Sequence, residues 1–237
     1  MTAIVAGAVI AAGEGSRLKA LGLPKPLVPV AGEPLVAHVL SNFAAAGIGR
    51  VTVIFNAEEE DCAAFVRARF PGLVTDVIVK TTASSLESFR EVLAASPPGR
   101  LLVSTVDAYL PLEDFLAFVR AAERLPGETT VLAVTPFTAD EKPLWVRAGG
   151  TGRVTEIGGP SGDAVTAGLY VVPERVREIV PPASLGRLRE FLAWLCEAGE
   201  PIAAVPVAKV VDVDRPDDVA LAEAIARETA PAGRGAA

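Results

Sequence analysis

The chain has 237 residues, 51% of them hydrophobic, and a formal net charge of -7. That apolar fraction excludes intrinsic disorder, and the length suffices for one substantial core, or for a domain carrying a small lobe. The acidic balance excludes general nucleic-acid binding, which needs a basic face, but leaves nucleotide binding open because a few local cations suffice for it.

The first predicted element is the apolar run Ile4-Val5-Ala6-Gly7-Ala8-Val9-Ile10. Its small and β-branched residues suit a buried strand. No basic segment precedes it, and it runs straight into a glycine loop, so it reads as a strand and not as a secretory leader. The loop is Ala11-Ala12-Gly13-Glu14-Gly15. Arg17 and Lys25 follow, eight residues apart, with Lys25 set between Pro24 and Pro26. Bare backbone N–H groups beside two positioned cations suit a polyphosphate. Two commoner glycine fingerprints are absent. Leu18 stands where a G-x-G-x-x-G motif needs its third glycine, and no G-x-x-x-x-G-K-[ST] string occurs.

A helix is predicted over Pro34–Ala46, with Pro34 in its first turn and Gly47 as its stop. Strands are predicted at Val51–Phe55, Val74–Val79 and Leu101–Thr105. They alternate with helices at Glu58–Phe70, Ser85–Ala95 and Leu112–Arg124. This βα order implies a parallel sheet covered on both faces. Past Thr130 the order loosens into strands at Thr130–Thr135, Leu144–Arg147, Arg153–Ile157 and Val165–Val172, joined by glycine-rich turns. Helices at Glu174–Ile179 and Leu185–Ala198, a strand at Ile202–Pro206 and a helix at Pro216–Arg227 complete the chain. A nucleotide-binding half of about 1–130 and an acceptor half of about 131–228 form one expected domain. Residues 229–237 read as a disordered tail.

Open α/β sheets bind ligands beyond the carboxyl ends of their strands. Asp107 occupies such a place, after Leu101–Thr105, and is a candidate Mg²⁺ ligand. Asp212 and Asp214, in Val211-Asp212-Val213-Asp214, share one side of an extended stretch and are candidates to reach the same ion. Asp214 fits capping of the last helix equally well. The sole histidine, His38, reads as structural, and Cys62 and Cys196 as reduced packing residues without metal-binding spacing.

The residues Ala11, Ala12, Gly13, Gly15, Arg17, Leu18, then Pro24, Lys25, Pro26, Leu27, Val30, Gly32, Pro34 and Leu35 carry a specific resemblance. They resemble the nucleotidyltransferase family that includes sugar-phosphate nucleotidylyltransferases, cytidylyltransferases of alcohol phosphates and molybdenum-cofactor nucleotidyltransferases. The resemblance implies an α/β fold: one Rossmann-like domain of glycosyltransferase-A (GT-A) type with a mixed, mostly parallel central sheet. It implies an enzyme that moves NMP from an NTP to a sugar phosphate or an alcohol phosphate, with Mg²⁺ as cofactor and pyrophosphate as product. Arg17 and Lys25 would be the catalytic cations. Ala11, Ala12, Gly13, Gly15 and Lys25 would hold the nucleotide, with Thr82 and Ser84 beside the base. Asp107 and Asp212, with Asp214 as the alternative, would hold the metal.

For the acceptor, the family's Ala-Gly-[Ile/Leu]-Tyr strand is matched at Ala167-Gly168-Leu169-Tyr170. Its Glu-Lys-Pro is replaced by Gly158-Gly159-Pro160. Gly168, Tyr170 and Lys209 are therefore the acceptor candidates, with Arg153 as an alternative phosphate contact. Two rivals stand beside this reading: a glycosyltransferase of the same fold with a nucleotide-sugar donor, and a non-catalytic nucleotide sensor. No apolar run is long enough to span a bilayer. The expectation is a cytoplasmic protein with no membrane or nucleic-acid partner, and a sequence compatible with a homo-oligomer.

Overall fold

The computed structural model describes residues 3–13, 15–136 and 143–229. Nine strands form the main sheet: β1 Ala6–Ala11, β2 Val51–Phe55, β3 Val74–Val79 and β4 Leu101–Thr105 from the first half. The second half supplies β5 Thr130–Thr135, β6 Trp145–Ala148, β7 Val154–Ile157, β8 Ala164–Val172 and β9 Ile202–Pro206. The helices are α1 Leu35–Ala45, α2 Glu60–Arg69, α3 Ser85–Ala95, α4 Leu112–Arg124, α5 Glu174–Glu178, α6 Leu188–Glu197 and α7 Pro216–Thr229. The expected α/β class and mixed sheet are observed.

The sheet runs β7-β6-β8-β4-β1-β2-β3, with β5 also paired to β8 and β9 to β5. The pairs within β4-β1-β2-β3 are parallel, as is β9 with β5. The long strand β8 is antiparallel to β4, β5 and β6, and so welds the second half of the chain to the first. Covering both faces of the parallel strands explains their unbroken apolar runs. β1 sends Val9 and Ala11 into one core layer and Ala6, Ala8 and Ile10 into the other. The first layer is filled from α1, α2, α4 and α7 by Phe43, Val66, Phe118 and Ile225. The second is filled from α3 and α6 by Phe89, Val92, Phe191 and Leu195.

The helix starts differ from their predicted places for local reasons. α2 begins at Glu60 instead of Glu58 because Asn56 Oδ1 accepts the Glu58 N–H at 3.1 Å, holding those residues in a turn. α6 begins at Leu188 instead of Leu185. The Gly186 and Arg187 N–H groups bond to the Glu190 carboxylate, both at 2.9 Å, and form a cap instead of a first turn. The last helix runs to Thr229, so the expected tail loses its first residue to α7, and the rest of it lies outside the described residues.

Strand order positions the site. From β1 the chain steps through β2 to β3 on one flank, then crosses to place β4 on the other flank of β1. Such a reversal opens a crevice between two strand ends. Here it lies beyond Ala11 and Thr105, and the Val106 N–H donates to the Ile10 carbonyl at 3.0 Å across its floor.

β1 is held close to α1 because Gly7 lacks a side chain: a Cβ there would stand 2.2 Å from the Phe43 ring. Gly7→Ala should therefore overpack this contact and destabilise the protein by about 1–3 kcal/mol. Urea unfolding should show a lower midpoint at an unchanged slope.

Candidate active site

The loop after β1 is shaped around one lysine. Gly15 has φ +54, and a Cβ on it would approach the Lys25 Cβ to 2.8 Å, so both conformation and space call for glycine. Pro24 is extended, and Lys25–Leu27 form a single 3-10 turn closed by the Leu27 N–H to the Pro24 carbonyl at 2.9 Å. The proline on each side of Lys25 limits its backbone freedom. Its side chain is only 8% exposed. A small hairpin follows, Pro29–Val30 against Glu33–Pro34, which sequence reasoning did not anticipate. His38 Nε2 lies 2.8 Å from the Val30 carbonyl, and its ring meets Tyr109 edge-on. These contacts fit the structural role expected of His38.

Asp107 follows β4. A two-residue antiparallel ladder, Ala108–Tyr109 with Val211–Asp212, draws the late acidic segment to it. The Val213 N–H donates to the Asp107 carbonyl at 3.0 Å, adding to that ladder. Asp107, Asp212 and Asp214 each present a carboxylate oxygen, all within 4.8 Å of one another. Sequence reasoning favoured Asp212 and held Asp214 in reserve as a cap; the structure gathers both. Capping of α7 falls to Asp218, whose Oδ2 accepts the Asp214 and Arg215 N–H groups at 3.0 and 2.7 Å. The Asp214 carboxylate thereby faces the site.

Lys25 Nζ donates to Asp107 Oδ2 at 2.7 Å and to Asp214 Oδ1 at 2.5 Å. Arg17 lies at the rim, its Nη1 3.4 Å from Asp214 Oδ2. Burial alone would lower the Lys25 pKa, but the charges of Asp107, Asp214 and Asp212 outweigh it and hold the ammonium above the ordinary lysine range. Burial alone would raise the Asp107 pKa, but the Lys25 charge and hydrogen bond, with a bond from Thr105, keep the carboxyl below its usual value. Three carboxylates thus gather around Lys25, with Arg17 at the rim. Their oxygen-only donor set suits a hard divalent cation such as Mg²⁺, which typically takes one or two protein carboxylates together with phosphate oxygens.

Two clefts meet at this cluster. The first, about 510 Å³, is lined by Ala11, Ala12, Gly13, Gly15, Arg17, Lys25, Thr82, Ser84, Asp107 and Asp214 among others, and so gathers all of the nucleotide-binding candidates. Within it, the Thr82 hydroxyl lies 2.6 Å from Ser88 Oγ, and Ser84 Oγ accepts the Glu87 N–H at 3.1 Å to cap α3. The second cleft, about 220 Å³, runs between β8 and the start of α6, with Gly168, Tyr170, Arg189 and Asp212 in its wall. Both clefts are lined by Ser85, Thr105 and Asp107.

Gly168 interrupts the β8 register at φ +67, and a Cβ on it would stand 2.6 Å from both Thr105 Oγ1 and Ala108 Cβ. This close approach brings β8 against the end of β4. Burial first, then the nearby Asp107 and Asp212 charges, raise the Tyr170 pKa, so its hydroxyl stays protonated. Lys209 is placed elsewhere: its Nζ pairs with Glu228, and its N–H donates to Asp114 Oδ2 at 3.1 Å. Neither Lys209 nor Arg153 lines the second cleft, whose described cation is Arg189. Sequence reasoning missed Arg189, which belongs to no motif.

Residues 7–178 match the family described as the MobA-like NTP transferase domain. A bifunctional IPC transferase and DIPP synthase of Rubrobacter xylanophilus is 34% identical over 92% of this chain and 51% of its own length. A probable mannose-1-phosphate guanylyltransferase of Arabidopsis thaliana is 25% identical over 89% of this chain and 62% of its own length. The chain thus spans roughly half to three-fifths of these curated relatives. In fold it is similar to the inositol-1-phosphate CTP transferase from T. maritima, with a TM-score of 0.83 at 17% identity over 98% of this chain and 100% of that one.

Removing the ammonium should leave the carboxylate cluster unbalanced. Lys25→Ala should lower stability by about 2 kcal/mol. That is less than the ~3–5 kcal/mol of a fully buried pair because Asp107 and Asp214 keep solvent access. Denaturant unfolding without divalent cations is the measurement.

Proposed function

Because this chain belongs to the MobA-like NTP transferase family, we propose that it transfers a nucleotidyl group from an NTP to the phosphate of a sugar or alcohol phosphate, releasing pyrophosphate. The observation that carries this reading is the junction of two clefts at one charged cluster, Lys25 with Asp107, Asp212 and Asp214. A reaction joining two phosphorylated substrates needs two pockets sharing one electrostatic centre.

In this reading the larger cleft takes the NTP, with the backbone of Gly13 and Gly15 against the triphosphate. Arg17 at the rim neutralises the β- and γ-phosphates. Lys25 sits nearest the α-phosphate, where charge builds as the acceptor oxygen attacks. The acceptor phosphate is already an anionic nucleophile, so no general base is required. Asp107, Asp212 and Asp214 are the residues that would hold Mg²⁺, which would supply charge neutralisation for the phosphates. The contribution of the chain itself is positioning and charge stabilisation, not covalent chemistry. Gly158-Gly159-Pro160, in place of the Glu-Lys-Pro of hexose-1-phosphate enzymes, supports an alcohol or polyol phosphate as acceptor. The second cleft, at about 220 Å³, is compatible with a compact acceptor of that kind.

The test is pyrophosphate release from each of the four NTPs against a panel of polyol, glycerol and hexose phosphates. One NTP with a polyol phosphate should give turnover that chelation abolishes and Mg²⁺ restores. Lys25→Ala and Asp107→Ala should each slow it by roughly 10²-fold or more. Near-normal rates in both variants would sink the assignment. Nucleotide binding without pyrophosphate release would point to a sensor, and turnover of nucleotide sugars to glycosyl transfer.

A further inference from the structure

The second cleft has a charge problem. Its described ionisable lining, besides the buried Tyr170 hydroxyl, consists of Asp107, Asp212 and Arg189. A phosphorylated acceptor entering there brings further negative charge against two carboxylates. Lys25 lines the other cleft. Arg189 is therefore the described cation of the acceptor wall.

Its place is rigidly defined. Arg189 lies in the first turn of α6, where the unpaired N–H ends of a helix favour negative charge. That turn is capped by the Glu190 carboxylate on the Gly186 and Arg187 N–H groups, and the Leu188 N–H donates to Ser85 Oγ at 3.1 Å. Leu188, Phe191 and Leu192 on the same helix are buried in the core. Ser85 itself lines both clefts, so the residue that anchors α6 is also part of their junction. The charge of Arg189 reaches the Tyr170 hydroxyl, which feels Asp107 and Asp212 as well.

We propose that Arg189 is the residue that binds the phosphate of the acceptor and thereby selects a phosphomonoester over the free alcohol. This rests on the assignment of the second cleft to the acceptor. A guanidinium offers two parallel donors to phosphate oxygens, which an ammonium does not. Tyr170 and the hydroxyls of Thr135 and Thr166 line the remaining wall, where the alcohol part would lie.

The experiment compares wild type, Arg189→Lys and Arg189→Met in two assays. In steady-state pyrophosphate release, Arg189→Met should raise the acceptor KM roughly 10–100-fold, the range expected for a charged hydrogen bond. The NTP KM should stay within about twofold, and Arg189→Lys should recover part of the loss. An unchanged acceptor KM, or an equal rise in both KM values, would overturn the proposal. Calorimetric titration with inorganic phosphate needs no turnover and supplies the second assay. Wild type should bind it, and Arg189→Met should bind at least tenfold more weakly, roughly the same range. Undiminished binding by a folded Arg189→Met, or none by wild type, defeats the proposal. If wild type binds phosphate through Arg189 but turns over no NTP and acceptor pair, the nucleotidyl-transfer reading fails and the assignment of the anion site stands.

Discussion

Three carboxylates within 4.8 Å of one another are mutually repulsive, and the site exists because Lys25 is held among them. Much of the local architecture is explained by that constraint. Gly15 is bare so that the lysine stem can pass beneath the loop. Pro24 and Pro26 stiffen the turn that aims it. Asp218 takes over the cap of α7 so that Asp214 can face inward. Around Lys25, with Arg17 at the rim, the three carboxylates form an oxygen-only donor set. The same constraint that needs the lysine therefore makes the cluster receptive to a divalent ion and to substrates that arrive with one.

The two halves of the chain contribute unequally to this arrangement. The parallel strands β3-β2-β1-β4 create the crevice, and its position follows from strand order alone. The second half supplies an antiparallel strand, β8, whose break at Gly168 lets it press against Thr105 and Ala108. That contact makes two pockets out of one crevice and gives them Asp107 in common. The two clefts are thus built from one continuous sheet.

Much of this was legible in the residues, and the exceptions have physical reasons. The grouping of Gly13, Gly15, Arg17 and Lys25 was readable because the glycine loop is local: its geometry is written within fifteen residues of chain. The alternation of strands and helices was readable from apolar runs for the same reason. Asp212 and Asp214 were ambiguous because the ladder that brings them to Asp107 joins segments about a hundred residues apart. Whether an aspartate caps a helix or faces a site depended on Asp218, a competitor that only geometry could rank. Arg189 gave no signal at all. A lone arginine after a loop reads as a surface charge until the helix start is known to face β8 across the second cleft. Lys209 was the reverse case, attractive by proximity in sequence to Asp212 yet engaged with Glu228.

The bond between Lys25 and Asp214 joins residues 189 positions apart. During synthesis the lysine therefore leaves the ribosome well before this aspartate does. The parallel core can begin to assemble while the cluster is still short of its partners from the Asp212–Asp214 segment. Full charge pairing thus waits for the segment just before α7, so the carboxylate cluster is completed only after the parallel core has its strands. A chain without that segment would carry the glycine loop and Lys25 without the full electrostatic centre.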